Sequence, residues 1–339
     1  MRSIVVLVLA CMWGFAAQTQ ETPGFDVPQV IEYIATNHYP KVDIARCEQP
    51  LTEVLTLTDF ADKAEVWTGN LYLRSLDCFS RFSYIESWPY AESPFLRGPL
   101  GFYPPQEEEK KVVDPNWESW EIMPSGETLY LRIRSFLYSS SEFEEGMKDL
   151  QTRDGGLKSF SRIVLDLRNN KGGRIQNACE LLSWFPEPNA AESYLEYNNG
   201  SQAMWPNCVG IDSFADEAEV TVIINETTVS AGEFVAAVLE ERGAILIGTR
   251  TFGKGVGQIE KTFGPLDVRI VVGEFHYSTG ETYDGKGIEP LIQSSFPGCN
   301  EDMLCLLSHV STDLALYQAL AGSAKTRAAE LGLQTAVVE

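Results

Sequence analysis

Short apolar runs alternate with helical stretches between residues 129 and 247, and this pattern constrains the fold more than any other feature of the chain. The predicted strands are residues 129–133, 163–167, 220–224 and 244–247, and the predicted helices between them are residues 142–150, 174–185 and 231–242. Strands that alternate with helices of this length indicate βαβ units and a parallel sheet. We therefore expect an α/β fold, with residues 268–272 as a further strand of the same sheet.

The first residues of the chain have the features of a signal peptide. Arg2 supplies a positive charge, residues 4–17 are almost wholly apolar, and Ala16 and Ala17 offer small residues for cleavage before a polar stretch. The apolar run is shorter than the ~20 residues that a membrane span needs. We expect residues 1–17 to be removed and the protein to be exported, so that it is periplasmic or secreted. A buried N-terminal helix and a lipoprotein signal ending at Cys11 are the alternatives.

Composition divides the remainder into four predicted parts. Residues 18–82 form a helical region, in which residues 26–36 read as a helix and residues 50–76 as further helix and strand. Residues 83–127 are rich in proline and tryptophan, which predicts a loop or lid that packs in part against the rest. Residues 128–296 form the core, and residues 297–339 form a C-terminal helical segment.

The charge balance excludes two classes of partner. The chain has 26 basic and 48 acidic residues, and its formal net charge is −22. Such a chain repels nucleic-acid phosphates and anionic lipid surfaces, so neither is an expected partner. After residue 17, no apolar run is long enough to predict a membrane span.

The cysteines favour disulfides over a metal site. Six cysteines follow the predicted signal peptide, and an even number in an exported chain permits pairing: Cys47, Cys78, Cys179, Cys208, Cys299 and Cys305. The pair Cys299 and Cys305 is our first choice, because Pro297 and Gly298 allow a turn just before it. The chain has three histidines and neither a Cys-x-x-Cys nor a His-Glu-x-x-His motif, so no metal or other cofactor is expected.

Two loops follow predicted strands at the sheet edge where ligands bind in open α/β folds. The first, residues 169–173, ends in Gly172 and Gly173, whose backbone amides can face an oxyanion. A tight turn explains the paired glycines equally well. The second loop places Ser230 just before the helix predicted at residues 231–242. That position suits a nucleophile, and it also suits a serine that merely caps the helix.

A third loop, residues 248–255, differs from the motif of a phosphate-binding P-loop at one residue. Gly255 stands where a hydroxyl residue would hold magnesium, and the residues after it read as a strand rather than the required helix. A nucleotide site is therefore not expected. A serine nucleophile needs a base, and no histidine lies near these loops. Lys254 can serve if its amine is neutral, which requires its pKa to fall from about 10.4 towards about 7–8. Gln258, four residues further on, can hold that amine by a hydrogen bond.

Four ordered motifs together resemble the C-terminal processing peptidases, also called tail-specific proteases. The motifs are Ile-Val-Leu-Asp-Leu-Arg-Asn-Asn-Lys-Gly-Gly at 163–173, Thr-Val-Ser-Ala-Gly-Glu at 228–233, Thr-Phe-Gly-Lys-Gly-Val-Gly-Gln at 251–258, and Gly-Glu-Thr-Tyr-Asp-Gly-Lys-Gly-Ile-Glu-Pro at 280–290. Residues 76–82 are a weaker match. The resemblance covers about residues 70–293 and is strongest from residue 128.

The resemblance implies a serine endopeptidase with a Ser-Lys dyad, acting on protein or peptide substrates, on a ClpP/crotonase-like core with a mixed sheet. Carried onto this sequence, the nucleophile is Ser230, the general base is Lys254, and Gln258 orients the lysine. The oxyanion amides are those of Ala231 and of the turn formed by Gly172 and Gly173.

Several departures from the family pattern qualify these expectations. Lys171 replaces the usual proline before the glycine pair, and Leu291 replaces an aspartate. The interval between Phe82 and Tyr130 is too short for an ordinary PDZ domain, which weakens the case for recognition of substrate tails. A non-catalytic binding or scaffold protein is the main alternative. A crotonase-type acyl-CoA enzyme is a further one, disfavoured by the predicted export and the lack of a basic nucleotide-binding patch.

Overall fold

The computed structural model describes residues 24–60, 62–87, 120–152, 155–185, 193–203, 214, 217–296, 299 and 305–315. The predicted signal peptide, the middle of the proline- and tryptophan-rich segment and the C-terminal tail lie outside the described residues. None of the helices in the described part is both long and apolar enough to cross a membrane.

Six helices have the bounds α1 Val27–Asn37, α2 Ile44–Leu57, α3 Lys63–Ser75, α4 Ser140–Gln151, α5 Ile175–Leu182 and α6 Ala231–Glu241. Residues 305–315 are also helical, and Gly156–Ser159 form a 3-10 turn. The strands are β1 Tyr84–Ser87, β2 Trp120–Ser125, β3 Thr128–Ile133, β4 Arg162–Asp166, β5 Tyr194–Tyr197, β6 Gln202–Ala203, β7 Glu219–Ile224, β8 Ile245–Gly248, β9 Val256–Phe263, β10 Leu266–His276 and β11 Ile292–Gln293.

The described residues group into two compact units, each built from separate stretches of chain. The first unit contains residues 24–87, 193–203 and 254–284, and the second contains residues 120–185, 214–253 and 285–315, with the gaps stated above. Because each unit combines three separate stretches of chain, composition along the sequence does not reveal this division. The domain boundaries expected from the sequence stay a prediction.

The second unit contains the predicted parallel sheet. Its six strands lie in the order β11-β8-β7-β4-β3-β2, and every neighbouring pair is parallel except β2 and β3. Helices α4, α5 and α6 connect successive strands of this sheet, as βαβ units require. The four parallel strands and three helices expected between residues 129 and 247 are confirmed, with bounds that differ from the prediction by at most three residues.

The first unit contains an antiparallel sheet around β10, packed on α1, α2 and α3. Strand β10 pairs with β1, β5 and β9. The expectation that residues 268–272 extend the parallel sheet is therefore wrong. Most residues of β10 are buried, and they lie on both of its faces, so residues 268–272 have the largely apolar composition of a parallel strand.

Two other expectations need correction. Residues 50–76 contain no strand in the described part, because Leu51, Val54 and Leu55 are buried at helical spacing and Asp62 caps α3 through the N–H groups of its first turn. The predicted loop at residues 83–127 carries strands at both described ends, β1 and β2. The Trp120 ring in β2 lies edge-on to Phe143, with ring centroids 5.6 Å apart, so this end packs as expected.

Disulfides link Cys47 to Cys78 and Cys299 to Cys305, so the predicted Cys299–Cys305 pair is confirmed. Cys179 is disulfide-bonded as well.

Candidate active site

Ser230 lies in the second unit, immediately before α6. Its backbone has φ 58° and ψ −117°, whereas a residue that only caps a helix has an extended backbone. A non-glycine residue in this region is strained by about 1–3 kcal/mol and persists only where its surroundings hold it. The Ser230 N–H donates to Oε2 of Glu233 over 2.9 Å. Local contacts thus fix the backbone of this serine in an uncommon conformation.

The turn before Ser230 is tied to the loop after β4. The Thr228 hydroxyl donates to the carbonyl of Leu167 over 2.9 Å, and the Val229 N–H donates to the carbonyl of Asn170, also over 2.9 Å. Asn170 is itself fully buried. These bonds join the loop at residues 169–173 to the loop that contains Ser230, two of the three loops predicted to carry functional residues.

Gly172 lies directly against Ser230. A Cβ atom at residue 172 would lie 2.8 Å from the Cβ of Ser230 and 2.9 Å from the carbonyl oxygen of Val229, and the φ of Gly172 is +83°. Only glycine fits both the space and this backbone conformation. The close approach explains why the loop after β4 contains a glycine at this point.

The N–H groups of the glycine pair differ in availability. Gly172 donates its N–H to Oδ1 of Asn170 over 2.8 Å. Within the part of the chain that the structure describes, the N–H groups of Gly173 and Ala231 have no acceptor. Two N–H groups next to Ser230 are therefore without an acceptor in the described residues, and the glycine that supplies one of them is Gly173 rather than Gly172.

A buried carboxylate, which the sequence analysis did not single out, joins the serine to a second motif. Glu233 is fully buried, and its Oε1 accepts from the Thr251 hydroxyl and from the Gly253 N–H, each over 2.6 Å. Its other oxygen holds Ser230. The spacing Ser-x-x-Glu at the start of a helix is the signal that could have identified this residue.

Lys254 and Gln258 lie in the first unit, at the start of β9. The half-buried Lys254 Nζ donates to Oε1 of Gln258 over 2.6 Å, and Gln258 Nε2 donates to the carbonyl of Phe82 over 2.6 Å. The Phe82 ring lies beneath the lysine, with 5.1 Å between Nζ and the ring centroid. Phe82 has no assigned role in the sequence analysis, although it ends the weak motif at residues 76–82.

Asp284 fixes the backbone just after the lysine. Its Oδ1 accepts from the Gly255 N–H over 2.9 Å, and the Gly255 carbonyl accepts from Phe275 over 2.8 Å. Burial raises the pKa of Asp284, and Glu274 adds to this rise, while the Gly255 N–H and Lys254 oppose it. The structure thus gathers the predicted residues in two groups: Gly172, Gly173, Ser230 and Ala231 in one unit, and Lys254 and Gln258 in the other.

One group of side chains has the composition of a metal site. The ligand atoms of Cys299, Cys305 and His309 lie within 4.8 Å of one another. The two cysteines form a disulfide, and a disulfide sulfur is not the thiolate that metals bind. These residues do not fit a metal ion while the disulfide is intact.

The sequence model of peptidase family S41 matches residues 127–294, which include Ser230, Lys254 and Gln258. Residues 127–294 belong to peptidase family S41. The resemblance to C-terminal processing peptidases is thereby confirmed.

Similar proteins agree with this assignment of the S41 domain. The chain is 30% identical over 174 residues to the carboxy-terminal processing protease CtpA of Bacillus subtilis, covering 49% of this chain and 35% of that one. It is 30% identical over 149 residues to a carboxyl-terminal-processing protease of Picosynechococcus, covering 43% and 34%. The match thus spans about a third of the length of these curated relatives.

Solved structures share the fold of the chain. A lipoprotein from Streptococcus agalactiae superposes with a TM-score of 0.58 at 15% identity, covering 89% of this chain and 99% of that one. A photosystem II D1 C-terminal processing protease superposes with a TM-score of 0.52 at 13% identity, covering 79% and 92%. The expected mixed α/β fold around the S41 domain is confirmed.

Proposed function

We propose that the S41 domain cleaves peptide bonds with Ser230 as the nucleophile and Lys254 as the general base. The observation that supports this most strongly is the backbone of Ser230. Its φ is 58°, whereas a residue that caps a helix is ordinarily extended, and Ser230 has this conformation although it also forms a capping box with the buried Glu233. Strained backbone of this kind clusters at functional sites, where it aims a reacting group.

In the proposed reaction, the neutral Lys254 amine takes the proton of the Ser230 hydroxyl as the serine oxygen attacks the substrate carbonyl. The N–H groups of Gly173 and Ala231 stabilise the oxyanion that forms. The lysine then gives its proton to the departing amine, and the C–N bond breaks to leave an acyl-enzyme. Lys254 next takes a proton from water, the resulting hydroxide attacks the ester, and Ser230 recovers its proton.

Gln258 supports the base in this scheme. A neutral amine has two N–H groups and one lone pair, and donating one N–H to Gln258 restricts the directions in which the lone pair can point. Because Gln258 is itself held by the Phe82 carbonyl, it has little freedom to release the amine. A scaffold protein would have no need for this chain of contacts, which disfavours the non-catalytic alternative.

Flexible or unfolded polypeptides are the proposed substrates, and we propose that the protein meets them after export, consistent with its disulfides. The named relatives process carboxyl termini. We propose that the segment 83–127 takes the place of a PDZ domain and acts as a lid without reading a free C-terminal carboxylate. Two peptides that differ only in C-terminal amidation test this, since a large preference for the free carboxylate would contradict it.

Labelling with a fluorophosphonate probe, followed by peptide mapping, tests the nucleophile. We expect the label on Ser230 and no cleavage of casein by Ser230→Ala. The matched control is Ser139→Ala, an exposed serine that precedes α4 as Ser230 precedes α6. Casein cleavage by Ser230→Ala at the wild-type rate would exclude the dyad.

A further inference from the structure

A buried histidine in the first unit lies outside the proposed catalytic residues. His38 is 2% exposed, and its Nε2 lies 3.0 Å from the backbone nitrogen of Ser80 and 2.9 Å from the hydroxyl oxygen of Ser83. Its other ring nitrogen, Nδ1, lies 3.0 Å from the carbonyl oxygen of Pro40. The ring also stacks on Phe79, with centroids 6.0 Å apart.

These contacts determine the tautomer of His38. A backbone N–H can only donate, so Nε2 must accept from Ser80, and the proton must lie on Nδ1, which donates to Pro40. Burial lowers the pKa of His38, in keeping with this neutral form. A serine beside a histidine is also the arrangement of a hydrolase, but Ser83 is fully buried and no substrate can reach it. The pair therefore has another purpose.

The turn that contains Ser80 and Ser83 is held from several sides. The Ser83 hydroxyl accepts from the N–H of Val271 over 3.0 Å. Arg74 donates to the carbonyl of Ser80 over 3.1 Å and to that of Ser83 over 2.6 Å. His38 supplies the acceptor for the N–H of Ser80, a residue that is partly buried.

Phe82 lies within this turn, between Ser80 and Ser83, the two serines that His38 contacts. The Phe82 carbonyl accepts a hydrogen bond from the Gln258 amide, and the Phe82 ring lies under the Lys254 amine. Phe82 therefore contacts both the proposed base and the glutamine that holds it. A shift of the turn would move both. A displacement of about 1 Å at a reacting group can reduce a rate by about 100-fold.

We propose that His38 is a positioning residue of the peptidase, which fixes the 80–83 turn and through Phe82 aims Gln258 and Lys254. This positioning role rests on the proposed function, because the placement of Lys254 affects the rate of cleavage only if Lys254 is the base. The role is distinct from stability alone, since it predicts a loss in kcat with little change in KM.

The test compares His38→Leu, His38→Gln and Ser83→Ala with wild type in steady-state cleavage of one peptide. We expect His38→Leu to lower kcat by about 10- to 100-fold and to change KM by less than about twofold. Glutamine should restore kcat to within about threefold of wild type, because its amide oxygen can replace Nε2 as the acceptor. The control is His309→Leu, a histidine of the helix at residues 305–315, which should keep the wild-type kcat.

Circular dichroism tests whether each variant is folded. If His38→Leu does not fold, Ser83→Ala is the deciding variant, and we expect it to lower kcat as well. A folded His38→Leu or Ser83→Ala with the wild-type kcat, or a loss that glutamine does not restore, would overturn the positioning role. Ser230→Ala separates the two proposals. If it cleaves like wild type, the proposed function fails and the positioning role with it. If it is inactive while His38→Leu keeps its kcat, only the positioning role is wrong.

Discussion

Glu233 Oε1 accepts the N–H of Gly253 over 2.6 Å, although the two residues are 20 positions apart in the chain. The other oxygen of the same carboxylate holds the N–H of Ser230. One buried side chain therefore sets the backbone of the proposed nucleophile and of the residue that directly precedes Lys254. This gives Glu233 a larger structural role than a glutamate that only caps a helix.

Replacing Glu233 by glutamine should reduce both stability and activity. The carboxylate accepts three hydrogen bonds through two oxygens, whereas an amide has one oxygen and turns an NH2 group towards a donor. Leaving a buried donor without an acceptor costs about 1–3 kcal/mol. We expect a lower midpoint of thermal unfolding and at least a tenfold lower kcat. Glu226→Gln, an exposed glutamate of the same turn, should behave like wild type; equal behaviour of both variants would contradict this account.

Lys254→Arg should be folded but inactive. Arginine can occupy the space above the Phe82 ring, but it stays protonated, so it cannot accept the serine proton. Loss of a general base lowers rates by about 10²- to 10⁴-fold. The matched control is Lys261→Arg, an exposed lysine of β9, whose substitution should leave peptide cleavage unchanged. Substantial cleavage by Lys254→Arg would remove this lysine from the mechanism.

The sequence predicts the parallel sheet well because its strands are buried on both faces and its helices fill the intervals between them. The same logic misplaces residues 268–272, since an antiparallel strand buried on both faces has the same apolar run. Ser230 and Lys254 stand out because they carry reactive groups in glycine-rich loops. The contributions of Glu233 and Phe82 depend on contacts between distant segments, and neither a capping glutamate nor a core phenylalanine is distinctive in sequence.

Acid should destabilise the protein in part through His38. Burial lowers its pKa in the folded state below the value of about 6.5 in the unfolded chain, so the unfolded chain takes up the proton first as the pH falls. The stability due to neutral His38 is therefore present above pH ~6.5 and is lost progressively below it. His38→Gln cannot titrate, so its unfolding midpoint should fall less between pH ~7 and ~5 than that of wild type. Parallel curves for the two proteins would show that His38 does not contribute.

Gly172→Ala should disable the site through contact with Ser230, and a second glycine isolates that effect. Alanine at residue 172 would bring its Cβ to 2.8 Å from the Cβ of Ser230, in a backbone with φ +83°. Gly243 has a similar φ of +90°, but a Cβ there meets no atom within 4 Å. Both substitutions carry the strain of a left-handed alanine, about 1 kcal/mol or more. Only Gly172→Ala also displaces the serine, so we expect Gly243→Ala to lose stability alone and Gly172→Ala to lose fluorophosphonate labelling of Ser230 as well. Equal labelling of the two variants at matched folded fractions would show that the fit between Gly172 and Ser230 does not set the reactivity of the serine.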